Sequence, residues 1–187
     1  LNGVANYRIL KEGPFDKLHI PPSPGDAGSA IGCAQYLYHN YKKNKRTIEE
    51  KSNMIKNNIY VGPSFSNEQI KSFLEKNNIG YEFLDENELL TKTAKLISEK
   101  NIVGWYQGKM EWGPRALGNR SILADPREAS MKDILNEKIK HRESFRPFAP
   151  SILEEHVSEY FDIDISSPYM LFVAPVKKPD KIPAVTH

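Results

Sequence analysis

Between Ile59 and Gly108 the chain alternates helix and strand signals, and this alternation constrains its fold more than any other feature. Ile59–Gly62 reads as a short strand. Ser66-Asn67-Glu68-Gln69 is a capping box, in which the serine hydroxyl takes a free N–H of the first turn and the glutamine side chain reaches back. A helix therefore starts there and runs to about Asn77. Tyr81–Leu84 is extended. Asp85 with Glu88 opens a second helix, and its Leu89, Leu90, Ala94, Leu96 and Ile97 form one apolar face. Ile102–Gln107, bulky with Val103, Trp105 and Tyr106, is a strand that Gly108 ends. Helix and strand in alternation put this part of the chain in the α/β class.

Upstream the signals are weaker. Residues 1–20 read as short extended or turn pieces around Gly3, Gly13 and Pro14. Pro21-Pro22-Ser23-Pro24 holds an extended approach to Gly25, and Asp26 is placed to cap a small-residue helix from Ala27 to about His39. Two readings fit this start: a tightly packed helix end, or a place for a nucleotide phosphate or a metal beside Asp26. Residues 41–58 are polar and lysine-rich with little periodicity, and 46–58 is the expected linker.

Lys109–Arg146 carries nine Lys or Arg against six Asp or Glu, whereas the whole chain is only +2. Its arginines follow turn signals, Gly113-Pro114-Arg115 and Gly118-Asn119-Arg120. Pro114 suits the first turn of a helix, whose free N–H groups would sit near Arg115. Guanidinium forks beside such turns suit phosphate or carboxylate. Ser130 with Asp133 is expected to cap a further helix that buries Ile134, Leu135 and Ile139. Lys140 and Arg142 fall at that helix's C-terminal end, where the helix dipole alone would favour them. Arg146-Pro147-Phe148-Ala149-Pro150 is extended, Ser151 to about Phe161 helical, and Met170–Val176 an apolar strand.

Several classes are disfavoured. The near-neutral total argues against a dedicated nucleic-acid binder. The single cysteine, Cys33, excludes an internal disulfide and favours a reducing, cytoplasmic setting. No apolar run approaches the roughly 20 residues of a membrane span. His141 and His156 are isolated, and neither a P-loop nor a dinucleotide glycine fingerprint is present.

The run Gly104-Trp105-Tyr106-Gln107-Gly108-Lys109-Met110-Glu111-Trp112-Gly113-Pro114-Arg115-Ala116-Leu117-Gly118-Asn119-Arg120-Ser121-Ile122-Leu123 resembles the signature of the O-carbamoyltransferase family. Lys140-His141-Arg142-Glu143, Phe145-Arg146-Pro147-Phe148-Ala149-Pro150 and Ile182-Pro183-Ala184-Val185-Thr186-His187 match the same family. The resemblance covers nearly the whole chain.

It implies two parts. Residues 1–45 resemble the final segment of an actin/Hsp70-like ATPase domain, with Leu1–Asn6 at a glycine turn near the nucleotide. Asp26 would there be one ligand of a metal, iron or another divalent ion. Residues 59–187 resemble the first part of a YrdC-like α/β domain, in which carbamoyl phosphate and ATP, accompanied by Mg2+, give carbamoyl adenylate. The carbamoyl group then passes to an acceptor hydroxyl of a sugar, antibiotic or glycolipid. Lys140-His141-Arg142 resembles the Lys-x-Arg motif of such domains. The resemblance places Arg115 and Arg146 on phosphate oxygens, and Lys140 and Arg142 on ATP and carbamoyl phosphate. Arg120 and Ser121 either donate to substrate or support the loop, and Met170 either lines the pocket or belongs to a core strand. The family pattern extends past both ends, so this piece alone is expected to lack full activity while keeping weak anion binding. A homo-oligomer is compatible with the sequence. A YrdC-like RNA-binding or tRNA threonylcarbamoyl-adenylate module and a non-catalytic interaction domain are the alternatives.

Overall fold

A computed structural model of the chain describes residues 2–45 and 59–187, so the expected linker 46–58 lies outside the described residues. The fold divides into two compact units, one comprising Leu1–Ser64, Tyr106–Arg120 and Ser167–Val173, the other Phe65–Trp105, Ser121–Ser166 and Ala174–His187. Among the described residues no helix is long and apolar enough to cross a membrane.

The first unit opens with helix α1 (Gly3–Glu12), where extended and turn pieces were expected. The cause is Asn2, whose Oδ1 accepts the Ala5 N–H at 3.1 Å and so caps the first turn. Helix α2 spans Asp26–Tyr36 and passes into a π-helical turn over Leu37–Tyr41. Gly25, not Asp26, is its N-cap, and no side chain caps it. Asp26 sits instead inside the first turn, where its negative charge complements the helix dipole. Ile59–Gly62 is not a regular strand, yet its backbone pairs with 110–112. Gly62 N–H donates to Met110 O at 3.0 Å, and Trp112 N–H to Ile59 O at 2.6 Å. Ile59, Tyr169 and Leu171 form the buried core, covered by Ile20, Tyr60, Leu117 and Phe172. Burying one such aliphatic side chain contributes about 1.5–3 kcal/mol.

The strand expected over Met170–Val176 does not form. Asn6 Nδ2 donates to Leu171 O at 2.7 Å and Val173 N–H to Gly3 O at 3.2 Å, so α1 takes the backbone groups a strand would need. Met170 lies between two buried residues with φ of 55° and is 40 % exposed, so it is not a core residue.

The second unit contains both capping boxes. Ser66 with Gln69 opens α3 (Asn67–Lys76), and Asp85 with Glu88 opens α4 (Glu86–Ser98), each box with both of its hydrogen bonds made. Strands β1 (Val103–Tyr106) and β2 (Arg120–Leu123) pair into a two-stranded sheet. Helices with a small sheet agree with an α/β chain. Helix α5 (Met131–Ile134) continues as a π-helical turn over Leu135–Lys140. Ser130 does not cap it; its hydroxyl donates to Glu128 Oε1 at 2.9 Å. Met131, Leu135 and Ala184 form this unit's core with Ile102, Ala124 and Phe148 against it. Ile139, expected inside, is 42 % exposed, because the widened turn after Leu135 rotates it off the apolar face. The expected helix over Ser151–Phe161 shrinks to a 3-10 turn (Glu154–His156) and α6 (Val157–Tyr160).

Candidate functional site

The loop from Glu111 to Arg120 lies in the first unit. No helix starts at Pro114. Gly113 and Gly118 hold φ of 105° and 111°, values that turn the chain back on itself and that L side chains resist. The loop wraps around the Glu111 carboxylate, whose side chain is 0 % exposed. Glu111 Oε1 accepts N–H groups from Leu117 at 2.7 Å, Asn119 at 2.6 Å and Arg120 at 3.2 Å. Arg120 Nε donates to Oε2 at 2.9 Å, and its Nη2 to the Glu111 carbonyl at 3.0 Å. Burial pushes this carboxyl up, but the Arg120 guanidinium and the Leu117 and Asn119 N–H groups outweigh it and hold the group down at about 2. Tyr60 fastens the same loop from its core side, its hydroxyl donating to Leu117 O at 2.9 Å.

The converging N–H groups that the sequence suggested for an external anion are therefore filled by a carboxylate of the chain itself. Arg120 belongs to that cradle, which favours loop support over substrate contact. Arg115 stands at the outer turn, exposed, with no hydrogen bond or ion pair among the described residues. Ser121 follows in β2, half-buried.

Beside this loop Gly113 approaches Ser23 closely: a Cβ on Gly113 would lie 3.2 Å from both Ser23 Cβ and Oγ. Ser23, Gly25, Asp26, Ala27, Gly113 and Pro114 line a cavity of about 410 Å3 at the start of α2. Ser23 is 1 % exposed, and its Oγ is buried without a hydrogen-bond partner among the described residues. Asp26 offers one carboxylate here. Among the described residues no group of three or more His, Cys, Asp or Glu could hold a metal, so these residues do not by themselves make a metal site.

The second unit carries Lys140 at the end of its π-helical turn and Arg142 and Arg146 on the loop that follows. His141 ends the preceding turn in the left-handed conformation, φ 48°, an uncommon choice for a side chain other than glycine or asparagine. Lys140 is exposed and has no partner among the described residues. Arg142 is half-buried: its Nε donates to Asn136 Oδ1 at 2.7 Å, its Nη2 to Pro147 O at 3.3 Å, and its guanidinium lies 4.7 Å from the Phe148 ring centre. Arg146 Nε donates to Glu143 Oε2 at 2.7 Å in an exposed pair. Glu137, His141, Arg142 and Glu143 line an open depression of about 640 Å3.

The structure thus gathers Lys140, Arg142 and Arg146 at one turn end and the loop after it, and places Arg115, Arg120, Asp26 and Met170 in the other unit. Two organising residues escaped the sequence reading. Glu111 stood only as one residue of the basic stretch and of the family-like run, and Asn136 was not singled out at all. Nothing local marks either one, since the groups they bind come from residues up to ten positions away.

Exposed cations thus stand on or beside turns built around buried polar residues, Glu111 in one unit and Asn136 in the other. Residues 94–187 match the family description "Carbamoyltransferase C-terminus", residues 1–35 match "Carbamoyltransferase N-terminus", and the chain belongs to the carbamoyltransferase family. It is 47 % identical over 185 residues to an uncharacterized protein of Synechocystis sp., covering 98 % of this chain and 30 % of that one. Nodulation protein NolNO of Sinorhizobium fredii is 36 % identical over 197 residues, covering 100 % of this chain and 27 % of that protein. For nodulation protein NolO of Bradyrhizobium diazoefficiens the identity is 38 % over 192 residues, covering 100 % and 34 %. The chain thus spans about a third or less of these relatives' own length.

Proposed function

We propose that the chain is part of an ATP-dependent O-carbamoyltransferase, contributing loops that hold carbamoyl phosphate and ATP. The observation that carries this reading is the placement of Arg115 and Lys140, both exposed and without an ion pair among the described residues: Arg115 stands on the loop built around buried Glu111, and Lys140 ends the turn that holds buried Asn136. A fixed cation without an internal partner serves an arriving anion better than one already paired.

In this reading residues 59–187 form the YrdC-like, carbamoyl-adenylate-forming part and residues 1–45 the end of an actin/Hsp70-like part. Water attacks the phosphorus of carbamoyl phosphate, the bond from phosphorus to the carbamoyl oxygen breaks, inorganic phosphate leaves, and the freed carbamate oxygen attacks the α-phosphorus of ATP. The bond to the β-phosphate oxygen breaks and pyrophosphate leaves with its electron pair. Attack concentrates charge on the equatorial and leaving oxygens. Lys140, Arg142 and Arg146 are assigned to that charge from one turn end and the loop after it, and Arg115 to phosphate oxygens from the Glu111 loop. Arg146 is paired with Glu143 only at the surface, where such pairs are weak, so a multiply charged phosphate can displace the glutamate. The orphaned Ser23 hydroxyl at the start of α2 supports a nucleotide phosphate near Gly25-Asp26. Mg2+ would neutralise the triphosphate. Asp26 remains a single proposed metal ligand, and no step is routed through a metal held there. The acceptor is a hydroxyl-bearing small molecule.

Calorimetric titration of the chain with ATP and with carbamoyl phosphate, in wild type, Arg115→Ala and Lys140→Ala, tests the assignment. Losing a charge-assisted hydrogen bond is expected to weaken binding by about tenfold or more. Unchanged affinity for both ligands in both variants would remove the reading.

A further inference from the structure

Among the described residues Asn136 is the polar residue most completely enclosed in the second unit, 1 % exposed, and its side-chain hydrogen bonds all go to the loop that follows it. Its Nδ2 donates to Arg146 O at 2.9 Å and Ser144 O at 3.3 Å. Its Oδ1 accepts Arg142 Nε at 2.7 Å, and its backbone carbonyl accepts the Arg142 N–H at 3.0 Å. A buried amide that cannot be resolvated on opening is costly to leave unpaired, so these bonds stand or fall together.

We infer that Asn136 is a positioning residue, which fixes the Arg142 guanidinium in one orientation and presents its outer edge as a preformed anion fork. This rests on the reading of Arg142 as a phosphate ligand. A guanidinium has five N–H donors. Here the Nε–H is spent on Asn136, one Nη2 hydrogen on Pro147 O, and one face on Phe148, so the plane is fixed by three contacts that share no atom. The Nη1 amine and the second Nη2 hydrogen make no hydrogen bond among the described residues, although the Glu143 carboxylate lining the same depression lies near enough to feel the charge. Nη1 and Nη2 sit on the same carbon, and such a pair of nitrogens can meet two phosphate oxygens at once. A free arginine would lose rotamer freedom on binding, whereas this one has lost it during folding. Asn136 suits the task because it is neutral. A carboxylate at the same place would orient Arg142 equally well but would cancel its charge.

The Arg142 side-chain Nε–H resonance reports this directly. In the wild-type chain it should exchange with solvent far more slowly than the Nε–H of exposed Arg115, and in Asn136→Ala that protection should be lost. Asn136→Ala and Arg142→Ala should each weaken ATP binding by about fivefold or more, and the double variant should bind no more weakly than Arg142→Ala, because the two residues act as one unit. Equal exchange at Arg142 and Arg115 in the wild type overturns the inference even where Asn136→Ala fails to fold. So does a double variant whose losses simply multiply. If Arg142→Ala binds ATP normally although the wild-type Arg142 Nε–H is protected, the ligand assignment fails rather than the anchoring, and the inference falls with it.

Discussion

Replacing Glu111 with glutamine tests whether the Gly113–Asn119 loop is built around a charge or merely around a shape. The glutamine side chain keeps an acceptor for the N–H groups of Leu117, Asn119 and Arg120, but sets an amide donor against Arg120 Nε–H. The carboxyl titrates at about 2 in the folded chain against an ordinary 4.5. At roughly 1.4 kcal/mol per pH unit between the two values, the charge contributes about 3 kcal/mol to folding at neutral pH. Because the folded value lies below the unfolded one, that contribution is complete above 4.5 and is lost as the pH falls through about 2. Urea unfolding followed by the fluorescence of Trp105 and Trp112 measures it. Wild type should exceed Glu111→Gln by about 3 kcal/mol at about pH 6, and the gap should close to within about 1 kcal/mol near pH 2. Other carboxylates titrate in both proteins and cancel in the difference. A gap of the same size at both pH values would refute the charge argument and leave Glu111 as a space-filling residue.

Two further outcomes separate strain from contact and signal from structure. Gly113→Ala and Gly118→Ala should each cost about 1–3 kcal/mol for holding an L side chain at positive φ. Gly113→Ala should cost more, since its new Cβ meets Ser23 at 3.2 Å whereas nothing lies within 4 Å at Gly118; the reverse order in thermal melts would count against the loop geometry. Ser66→Ala should lose about 1 kcal/mol with its cap, and Ser130→Ala, whose hydroxyl caps nothing, under about 0.5 kcal/mol. Equal losses would mean that the side-chain cap bonds are not what distinguishes the two serines.

Legibility followed the range of the interactions. Ser66 with Gln69 and Asp85 with Glu88 were readable because a capping box is complete within four residues. The strand at Val103–Tyr106 was readable for a similar reason, a bulky run closed by glycine. Asn2 caps α1 by the same local chemistry, but Asn2-Gly3 also reads as a turn, and only the helix that followed decided between them. Ser130 and Asp133 carried a capping signal that failed because Glu128 took the serine hydroxyl.

The candidate site divides along the same line. Composition, short periodicities and the order of residues carried the α/β character, the concentration of positive charge between Lys109 and Arg146, and the family resemblance. Which of those cations are committed was settled by tertiary contacts alone. Arg120 belongs to Glu111, Arg127 to Asp125, Arg142 is pinned by Asn136 and Phe148, Arg146 leans on Glu143, and Arg115 and Lys140, like Lys109 and Lys138, have no ion pair among the described residues. A buried carboxylate or amide must satisfy its hydrogen bonds from whatever the fold brings near it. Those partners are set by how the chain turns back, through positive φ at Gly113, Gly118 and His141, and not by spacing that can be read along it.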